Sequence, residues 1–473
     1  MALNNAQHNF NIVFCRPPYD AYIITPLLGL GYLNAYMKKE GYNAHIVDPL
    51  QKSRLSMAGT VKKISSFNPD LVGIHATTDF IPEAKNLVRM LRKVIPRAKI
   101  CLGGPHSTSI PEETLSELGV DFIIVGEGEE TVLELVKKLE KGETDFKRVK
   151  GICFKDKKGK TILTEKRELI KNLDYLPFPD WEEINPNFYP PAPHGIYTKS
   201  HPVGPIMSSR GCPYFCTFCA SNAIWRHKFR QRSAKNIVDE IELLVKKYGC
   251  KEIHFEDDNF TLLKEKTIEV CNEIIRRKLK IDWKCPNGVR IDKLDDELLA
   301  KMKASGCYLL ALGIESGNQD ILNRAKKNLD LSIVKEKIAM IKKHGIITHG
   351  FFMIGFPGDT KKTVMQTIKF AGNSGLHTAQ FNILCPFPGS EVYDEWIKTN
   401  SAIKEWSRFT VHTGMYETGD LSAKDLKNLQ RLALIYYYLN PINFFNFVRH
   451  IRSNQLKFMF NIIKNFILPE GKK

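Results

Sequence analysis

The chain contains 473 residues, of which 43% are hydrophobic and 26% are charged. This length exceeds one ordinary hydrophobic core, so we expect two or three domains, and the composition is that of a soluble globular protein. The N-terminal residues show no basic stretch followed by an apolar one, and no apolar run reaches the roughly 18 residues of a membrane-spanning helix. Neither a signal peptide nor a transmembrane segment is therefore expected.

The net charge is +17 and the sequence pI is about 9.2. Such a balance can indicate nucleic acid, an anionic membrane surface or an anionic substrate. The lysines are spread over many predicted helices, however, which favours ordinary solvated surfaces. The eleven cysteines are an odd number. Without an export signal they are expected to be reduced thiols or metal ligands in the cytoplasm rather than a disulfide framework.

Residues 1–150 alternate short apolar runs with helical patterns. Strands are predicted at residues 11–14, 44–47, 70–75, 99–102 and 121–125, and helices at 28–39 and 83–94, with one more helix at the end. This alternation predicts a parallel, doubly wound (Rossmann-like) α/β domain. Ligands of such sheets bind outside the carboxyl ends of the strands, where the turns Gly103-Gly104 and Gly126-Glu127-Gly128 fall.

The remaining chain divides into three parts. Residues 151–200 contain a hairpin signal near 156–160 and then many prolines, which is typical of a linker that fixes how two domains face each other. In residues 201–395, strands are predicted at 205–208, 252–255, 282–285, 308–313, 349–354 and 378–384. Six strand–helix units predict an open (β/α)6 barrel, because a closed eight-unit barrel needs about 250 residues. Residues 396–473 are predicted to be helical.

Three cysteines, Cys212, Cys216 and Cys219, directly follow the first predicted barrel strand. Thiolates at this spacing can hold a [4Fe–4S] cluster and leave one iron without a protein ligand. An open coordination position is typical of a catalytic metal. An inert cluster and a zinc site are the alternatives. Zinc usually takes a fourth Cys or His nearby, and His227 comes only eight residues after Cys219.

The motif, with Phe218 in its aromatic position, resembles the signature of the radical S-adenosylmethionine (SAM) superfamily. The resemblance implies that SAM binds the open iron and that an electron from the cluster cleaves it to a 5′-deoxyadenosyl radical. It also implies SAM contacts at the ends of the next four strands. These are Asp257 and Asp258 for the amino group, Arg290 for the carboxylate, Glu315 and Ser316 for the ribose, and Pro357 and Gly358 for the adenine. The alternatives are a solvated acidic run and, for Arg290, a surface salt bridge.

A doubly wound domain ahead of such a barrel resembles the cobalamin-binding branch of the same superfamily. The residues that this resemblance points to are Pro18, Thr77, Gly103, Gly104, His106, Ser107, Gly126, Glu127 and Gly128. Glycines at strand ends let the backbone approach a flat macrocycle closely. The D-x-H-x-x-G motif, which supplies a histidine to cobalt in other cobalamin proteins, is absent. Plain βα turns, or a site for another nucleotide, are the alternatives.

The resemblance implies methylation of an unactivated carbon of a small metabolite, for which a hydrophobic compound is one candidate. Cyclisation or rearrangement within the same branch is an alternative, as are an RNA methylthiotransferase and a non-enzymatic cobalamin or cluster sensor. Methylthiotransferases carry three further cluster cysteines in their N-terminal domain, whereas residues 1–150 contain only Cys15 and Cys101. A small-molecule substrate and a reductant such as flavodoxin or ferredoxin are expected as partners, and nucleic acid is not.

The C-terminal segment is basic and rich in aromatic residues. No acidic residue lies between Asp425 and Glu470. Apolar residues recur there at helical spacing, namely Leu456, Met459, Phe460, Ile463 and Ile467. Packing against the open side of the barrel is one interpretation, and a basic amphipathic helix on an anionic membrane is the other. The second would make the cytoplasmic protein peripherally membrane-associated.

Overall fold

A computed structural model of the chain describes residues 8–450, apart from residues 22, 192–193, 196 and 401–404. The N-terminal sheet contains β1 (Asn11–Cys15), β2 (Asn43–Val47), β3 (Leu71–His75), β4 (Lys99–Gly103), β5 (Phe122–Ile124), β6 (Ile152–Lys155) and β7 (Thr161–Leu163). Their order is β2-β1-β3-β4-β5-β6-β7. The first five strands pair in parallel, and the last two are antiparallel. The doubly wound α/β domain is confirmed.

Helices cover both faces of this sheet because its strands are apolar on both sides. The helices are α1 (Leu28–Lys39), α2 (Met57–Ser65), α3 (Ile81–Val94), α4 (Pro105–Ser109), α5 (Pro111–Leu118) and α6 (Glu129–Glu140). Successive β1 residues point to opposite faces, so Ile12 and Phe14 join one core cluster while Val13 and Cys15 join another.

The predicted hairpin near residue 156 continues the N-terminal sheet. Ile152, Cys153 and Phe154 are buried, and β6 pairs with β5. The turn is closed by Asp156, whose carboxylate accepts hydrogen bonds from the Lys158 and Lys160 amides at 2.9 Å each. The sheet therefore extends to residue 163, thirteen residues beyond the boundary drawn at 150 from the sequence.

The second sheet is the predicted open barrel of six parallel strands, and their order is β15-β14-β13-β12-β11-β8. Its strands are β8 (Val203–Ile206), β11 (Glu252–Phe255), β12 (Asp282–Val289), β13 (Cys307–Glu315), β14 (Ile347–Ile354) and β15 (Thr378–Ile383), and β9 (Ser209–Arg210) pairs separately with β10 (Arg230–Gln231). The helices are α7 (Ser221–Trp225), α8 (Ala234–Tyr248), α9 (Lys264–Arg276), α10 (Asp296–Ala304), α11 (Gln319–Arg324), α12 (Val334–Lys343), α13 (Lys361–Gly372) and α14 (Glu391–Asn400).

The described chain ends in two helices, α15 (Ala423–Leu439) and α16 (Pro441–His450). Helix α15 packs along β15, and the Gln430 amide donates to the Phe381 carbonyl of that strand at 2.7 Å. Among the described residues, no helix is both long and apolar enough to cross a membrane. The apolar stripe predicted from Leu456 to Ile467 lies outside the described residues.

Candidate active site

The three cysteines lie on the loop between β9 and α7, at the carboxyl end of the barrel strands. Gly211 begins this loop with a φ of +91°, and a Cβ on it would lie 2.1 Å from the Lys228 carbonyl oxygen. In the middle of the loop, the Thr217 amide donates to the Ala325 carbonyl, and the Val392 amide donates to the Thr217 carbonyl, at 3.1 Å each. The cysteine loop is thus fixed to segments that follow β13 and β15.

The three thiols are half-buried and influence one another electrostatically. Burial raises the pKa of Cys212 to about 11. It also raises the pKa of Cys216, although the nearby Lys327 ammonium opposes this rise. Among the described residues, no three His, Cys, Asp or Glu side chains are grouped closely enough to hold a single metal ion. Three thiolates at this spacing fit a cluster, in which each binds a different iron.

His227 does not complete a zinc site. Its ring stacks on Phe215 with the centroids 3.7 Å apart, and its Nδ1 lies 3.2 Å from the Tyr214 carbonyl oxygen. The imidazole therefore supports the cysteine loop from within and leaves the thiols as the donor set.

The two predicted acidic residues after β11 face different ways. Asp257 is buried and accepts hydrogen bonds from the Ser208 and Ser209 hydroxyls at 2.8 and 2.5 Å. Burial raises the pKa of Asp257 to about 6. This carboxyl group anchors the β8–β9 junction beneath the cysteine loop. Asp258 is exposed, and its charge acts on the Cys212 thiol, so it is the carboxylate of the two that a ligand can reach.

Arg290 is engaged within the chain. Its guanidinium donates to the carbonyls of Lys327 and Asn328 at 2.6 and 2.7 Å and to the Asp292 carboxylate at 3.0 Å. It also lies 4.0 Å from the centroid of the Tyr214 ring in the cysteine loop. The structure therefore places Arg290 as a support for that loop and for the segment after α11.

Glu315 ends β13 in a left-handed conformation, with φ of +71°. Its buried carboxylate pairs with the Lys327 ammonium at 2.9 Å. Gly313 leaves the room for this pair, because a Cβ there would lie 2.7 Å from the Glu315 carboxylate and 2.9 Å from the Lys327 ammonium. Strained backbone of this kind concentrates at functional sites. The neighbouring Ser316 is buried, with its hydroxyl 3.1 Å from that of Thr367.

The loop after β14 forms an apolar wall beside the cysteine loop. The Phe218 ring meets the Phe356 ring edge-to-face at 5.7 Å. Asp359 closes the loop by accepting from the Gly355 and Phe356 amides at 2.9 and 3.0 Å. This leaves Pro357 half-buried and Gly358 exposed next to that wall.

Several buried polar atoms near this end of the barrel have no hydrogen-bond partner in the described chain. They are Oε1 of Glu256, both side-chain amide atoms of Asn259 and the hydroxyl of Thr261. Buried polar groups are nearly always satisfied, so these atoms fit a polar ligand with both donors and acceptors, such as the amino-acid end of SAM. The sequence pointed to Asp257 instead, although Asn259 stands in the same acidic motif.

The strand-end loops of the N-terminal sheet form a second cradle. Gly104 has a φ of +123°, and a Cβ there would lie 2.9 Å from the Ala76 carbonyl oxygen. The Ser107 hydroxyl donates to the Gly104 carbonyl at 3.2 Å. His106 lies 3.2 Å from the Thr78 hydroxyl through Nδ1, while its Nε2 has no partner in the described chain. Burial lowers the pKa of His106 to about 4, so its ring is neutral at pH 7.

Other predicted cobalamin residues lie on the same edge. The Gly126 amide donates to the Thr108 hydroxyl at 3.1 Å, and a Cβ on Gly126 would meet only open space. Gly103 ends β4 beside this turn, and Gly128 precedes α6. Thr77 donates to Asp79 at 2.7 Å. Pro18 is half-buried next to Tyr19, whose ring stacks on Phe80 at 3.5 Å.

Glu127 instead joins the two domains. Its carboxylate accepts from Arg210 of β9 at 2.7 Å and from Arg230 of β10 at 2.8 Å, and Arg210 also reaches Glu129 at 2.6 Å. We call these four side chains the interdomain clasp. Nearby, α4 packs against α7, and a Cβ on Gly389 would lie 2.4 Å from Ser109 and 2.7 Å from Ala223. The two cradles therefore adjoin, because the cysteine loop lies between the clasp and α7.

Comparisons with known proteins agree with this arrangement. The radical SAM superfamily model matches residues 206–371, and the B12 binding domain model matches residues 21–136. The chain is 33% identical over 418 residues to an uncharacterized methyltransferase of Pyrococcus horikoshii, covering 88% of each chain. It is 31% identical over 374 residues to the anaerobic magnesium-protoporphyrin IX monomethyl ester cyclase of Rubrivivax gelatinosus, covering 78% of this chain and 66% of the relative.

Among solved structures, the radical SAM methyltransferase TsrM from Kitasatospora setae, with cobalamin and a [4Fe-4S] cluster bound, has the same fold. Its TM-score is 0.71 at 18% identity, covering 83% of this chain and 78% of that one. The chain belongs to the radical SAM superfamily, in the branch that carries a B12-binding domain, and its cofactors are a [4Fe–4S] cluster, SAM and cobalamin.

Proposed function

We propose that this protein is a cobalamin-dependent radical SAM methyltransferase that adds a methyl group to an unactivated carbon of a small, hydrophobic metabolite. The observation that supports this most is the direct apposition of the two cradles. The interdomain clasp and the α4–α7 contact hold the B12-binding loops against the cysteine loop. A substrate between them would be within reach of both cofactors, as a methyl transfer requires.

Different residues of the chain would bind the cluster and SAM. When bound, the cluster and SAM supply a carbon-centred radical that removes a substrate hydrogen atom, and cobalamin supplies a methyl group. Cys212, Cys216 and Cys219 would hold the cluster. Asp258 and the unpartnered Asn259 would take the amino-acid end of SAM, and Glu315, held in place by Lys327, would take the ribose.

Apolar side chains would exclude water from the reacting groups. Phe218 and Phe356 belong to a buried cluster at the mouth, together with Leu384 and Val392. Their rings would cover the adenine, next to Pro357 and Gly358. Cobalamin would be surrounded by the strand-end loops of the N-terminal sheet. The residues are Gly103, Gly104, Gly126, Gly128, Pro18, Thr77, His106 and Ser107. Shielding of this kind keeps a reactive radical from side reactions.

A second candidate is a cyclase or rearrangement enzyme of the same branch. It is favoured by the 31% identity to the cyclase of Rubrivivax gelatinosus. Both candidates take an electron for SAM cleavage, and we propose flavodoxin or ferredoxin as its source in the cytoplasm. The two differ in whether a methyl group leaves SAM.

The proposal predicts two separate reactions of SAM with the anaerobically purified holoenzyme. With a low-potential reductant, the protein should release 5′-deoxyadenosine. With SAM labelled in its methyl group, label should appear on the bound cobalamin, read by mass and by optical spectrum. Replacement of Cys219 by Ala should abolish the first reaction, because the cluster loses a ligand. Cys271→Ala, at a buried cysteine of α9, is the matched control and should retain it.

The two candidates give different results. Release of 5′-deoxyadenosine without any label on cobalamin would favour the cyclase and contradict the methyltransferase. Equal SAM cleavage by the Cys219→Ala and Cys271→Ala variants would contradict the assignment of the cluster ligands.

A further inference from the structure

The last two described helices carry an apolar surface that no described residue covers. On α15, Leu432, Ile435, Tyr436 and Leu439 are exposed and follow the i, i+3, i+4, i+7 spacing of one helix face. The opposite face of α15 is buried against the barrel through residues that include Leu426, Ala433 and Tyr437. Helix α15 is therefore apolar on two faces, of which one packs against the barrel and the other is exposed.

Helix α16 continues the exposed face. Ile442, Phe444, Phe445 and Val448 are 72%, 55%, 65% and 47% exposed, and Leu439 at the junction is 75% exposed. Residues 432–448 thus contain eight of the sixteen large exposed hydrophobic side chains of the described chain. Single exposed apolar residues are normal, but a contiguous group of this kind marks an interaction surface. We call these eight residues the α15–α16 apolar face.

Positive charge surrounds this face. Lys424, Lys427 and Arg431 on α15 and Arg449 on α16 are exposed. From residue 423 to residue 450 the sequence contains these four basic residues and one acidic residue, Asp425. A combination of large apolar side chains with a basic border matches an anionic lipid surface, where the rings enter the headgroup region and the cations meet phosphate.

The exposed lysines and arginines of α15 and α16 also disfavour self-association through this face. A twofold dimer brings the same patch of two copies together. It would cover the apolar side chains but would bring together the four basic residues of each copy, with only Asp425 as an acidic residue on the two helices. A bilayer of anionic lipids covers the same side chains and neutralises the same charges.

The face is remote from the candidate active site. The Tyr437 hydroxyl donates to the Leu376 carbonyl, just before β15, at 2.9 Å, and the Tyr197 hydroxyl donates to the Phe447 carbonyl at 3.1 Å. Phe447 also packs with Tyr308 and Ile347 at the amino ends of β13 and β14. The apolar face thus lies toward the amino ends of the strands, whereas the cysteines lie at the carboxyl ends.

We propose that the α15–α16 apolar face docks the protein peripherally onto an anionic bilayer, with the barrel mouth directed away from the lipid. This inference is independent of the proposed function, because it rests on a surface at the other end of the barrel. The full-length holoenzyme should co-sediment with vesicles of phosphatidylcholine and phosphatidylglycerol, and less so as salt is raised. It should bind pure phosphatidylcholine vesicles weakly.

The variant Leu439→Glu/Phe445→Glu should bind the anionic vesicles about tenfold or more weakly, since two apolar contacts are replaced by like charges. Lys427→Ser/Arg431→Ser, which leaves the apolar face intact, should bind about tenfold more weakly and show a smaller salt dependence, because Lys424 and Arg449 remain. Val94→Glu is the matched control: Val94 is 53% exposed at the end of α3 and should not affect binding. All three variants should release 5′-deoxyadenosine in solution as the wild type does.

Three results would overturn the proposal. One is the absence of binding of the wild type to anionic vesicles. Another is an equal loss of binding in the Val94→Glu control. The third is a wild-type dimer on gel filtration that the Leu439→Glu/Phe445→Glu variant converts to a monomer, since this would show that a second copy covers the face.

Discussion

Lys284 is a cationic side chain enclosed in the barrel interior. It is fully buried on β12 and donates to the Tyr197 carbonyl of the linker. Burial lowers the pKa of Lys284 to about 8, while the carboxylates of Glu252 and Glu256 partly oppose this. Because this pKa differs between the folded and unfolded chain, the free energy of unfolding depends on pH, which is not the case for an exposed lysine.

We predict that Lys284 makes the folded protein more stable as the pH rises from about 8 to about 10. In this window the unfolded chain holds the Lys284 proton, since its ordinary pKa is 10.5, and the folded chain does not. Unfolding then takes up a proton, so the free energy of unfolding rises with pH by up to about 3 kcal/mol. Urea unfolding of the wild type and Lys284→Met at both pH values should show this difference.

The exposed Lys280, just before β12, provides the control for that measurement. Lys280→Met should follow the wild type at both pH values. Lys284→Met also removes the hydrogen bond to the Tyr197 carbonyl, so the change in stability between the two pH values, and not its absolute value, is compared with the wild type. A Lys284→Met variant whose stability changes with pH as much as that of the wild type would contradict the prediction.

Residue types and spacing show where a cofactor binds but not which side chains are free to bind it. The cysteine spacing is local and readable. The partners of the other residues are not local: Glu315 pairs with Lys327 twelve residues later, and Arg290 reaches the carbonyls of Lys327 and Asn328. No local pattern indicates Lys327, because it comes close to Cys216 and Glu315 only after the chain has folded through α11.

At the level of elements, helices with a clear apolar stripe are predicted best. The helix predicted at 83–94 agrees with α3 because its buried residues Ala84, Leu87, Val88 and Leu91 lie on one face. Strand β12 is predicted only to residue 285 but continues to Val289, since a register shift lets Val289 pair with Leu312 after the strand pattern has broken. The β6–β7 hairpin has a turn signal, but no local pattern indicates which sheet it joins.

The cysteine loop as an element depends on one glycine. Gly211 combines a φ of +91° with a Cβ position 2.1 Å from the Lys228 carbonyl oxygen. We predict that Gly211→Ala displaces the loop, costs about 1–3 kcal/mol of stability and lowers the iron content per chain. Gly249→Ala is the control, because its φ is +71° but a Cβ there would meet nothing within 4 Å. Full iron content in Gly211→Ala after anaerobic reconstitution would contradict this prediction.

At the scale of the whole molecule, the strand alternation predicts two sheets but not how they face each other. The interdomain clasp joins Glu127 to Arg210 across 83 residues of sequence. In the sequence, Glu127 stands in a Gly-rich turn and is interpreted as a ligand of cobalamin. The structure shows that its carboxylate is used between the domains, which is a property of their assembly and not of the turn.

Loss of the clasp should uncouple the two domains. Arg210→Met leaves Glu129 buried without its partner, and breaking a buried ion pair in this way costs about 3–5 kcal/mol. Burial is then opposed only by the backbone hydrogen bond of Glu129 and the charge of Arg230, so the pKa of Glu129 should rise from its lowered value. Because the cost falls on the contact between domains, calorimetry should resolve two unfolding transitions in the variant where the wild type shows one.

Arg277→Met tests whether this effect belongs to the interface. Arg277 pairs with Asp239, Glu242 and Glu273 at 2.7–2.8 Å, all on helices of the barrel. Its loss should destabilise the barrel but leave a single transition. Since the clasp also positions the B12-binding loops, Arg210→Met should release 5′-deoxyadenosine yet transfer less label from SAM to cobalamin than Arg277→Met. A single transition and unchanged transfer in Arg210→Met would mean that the remaining contacts, above all α4 against α7, hold the two cradles together without the clasp.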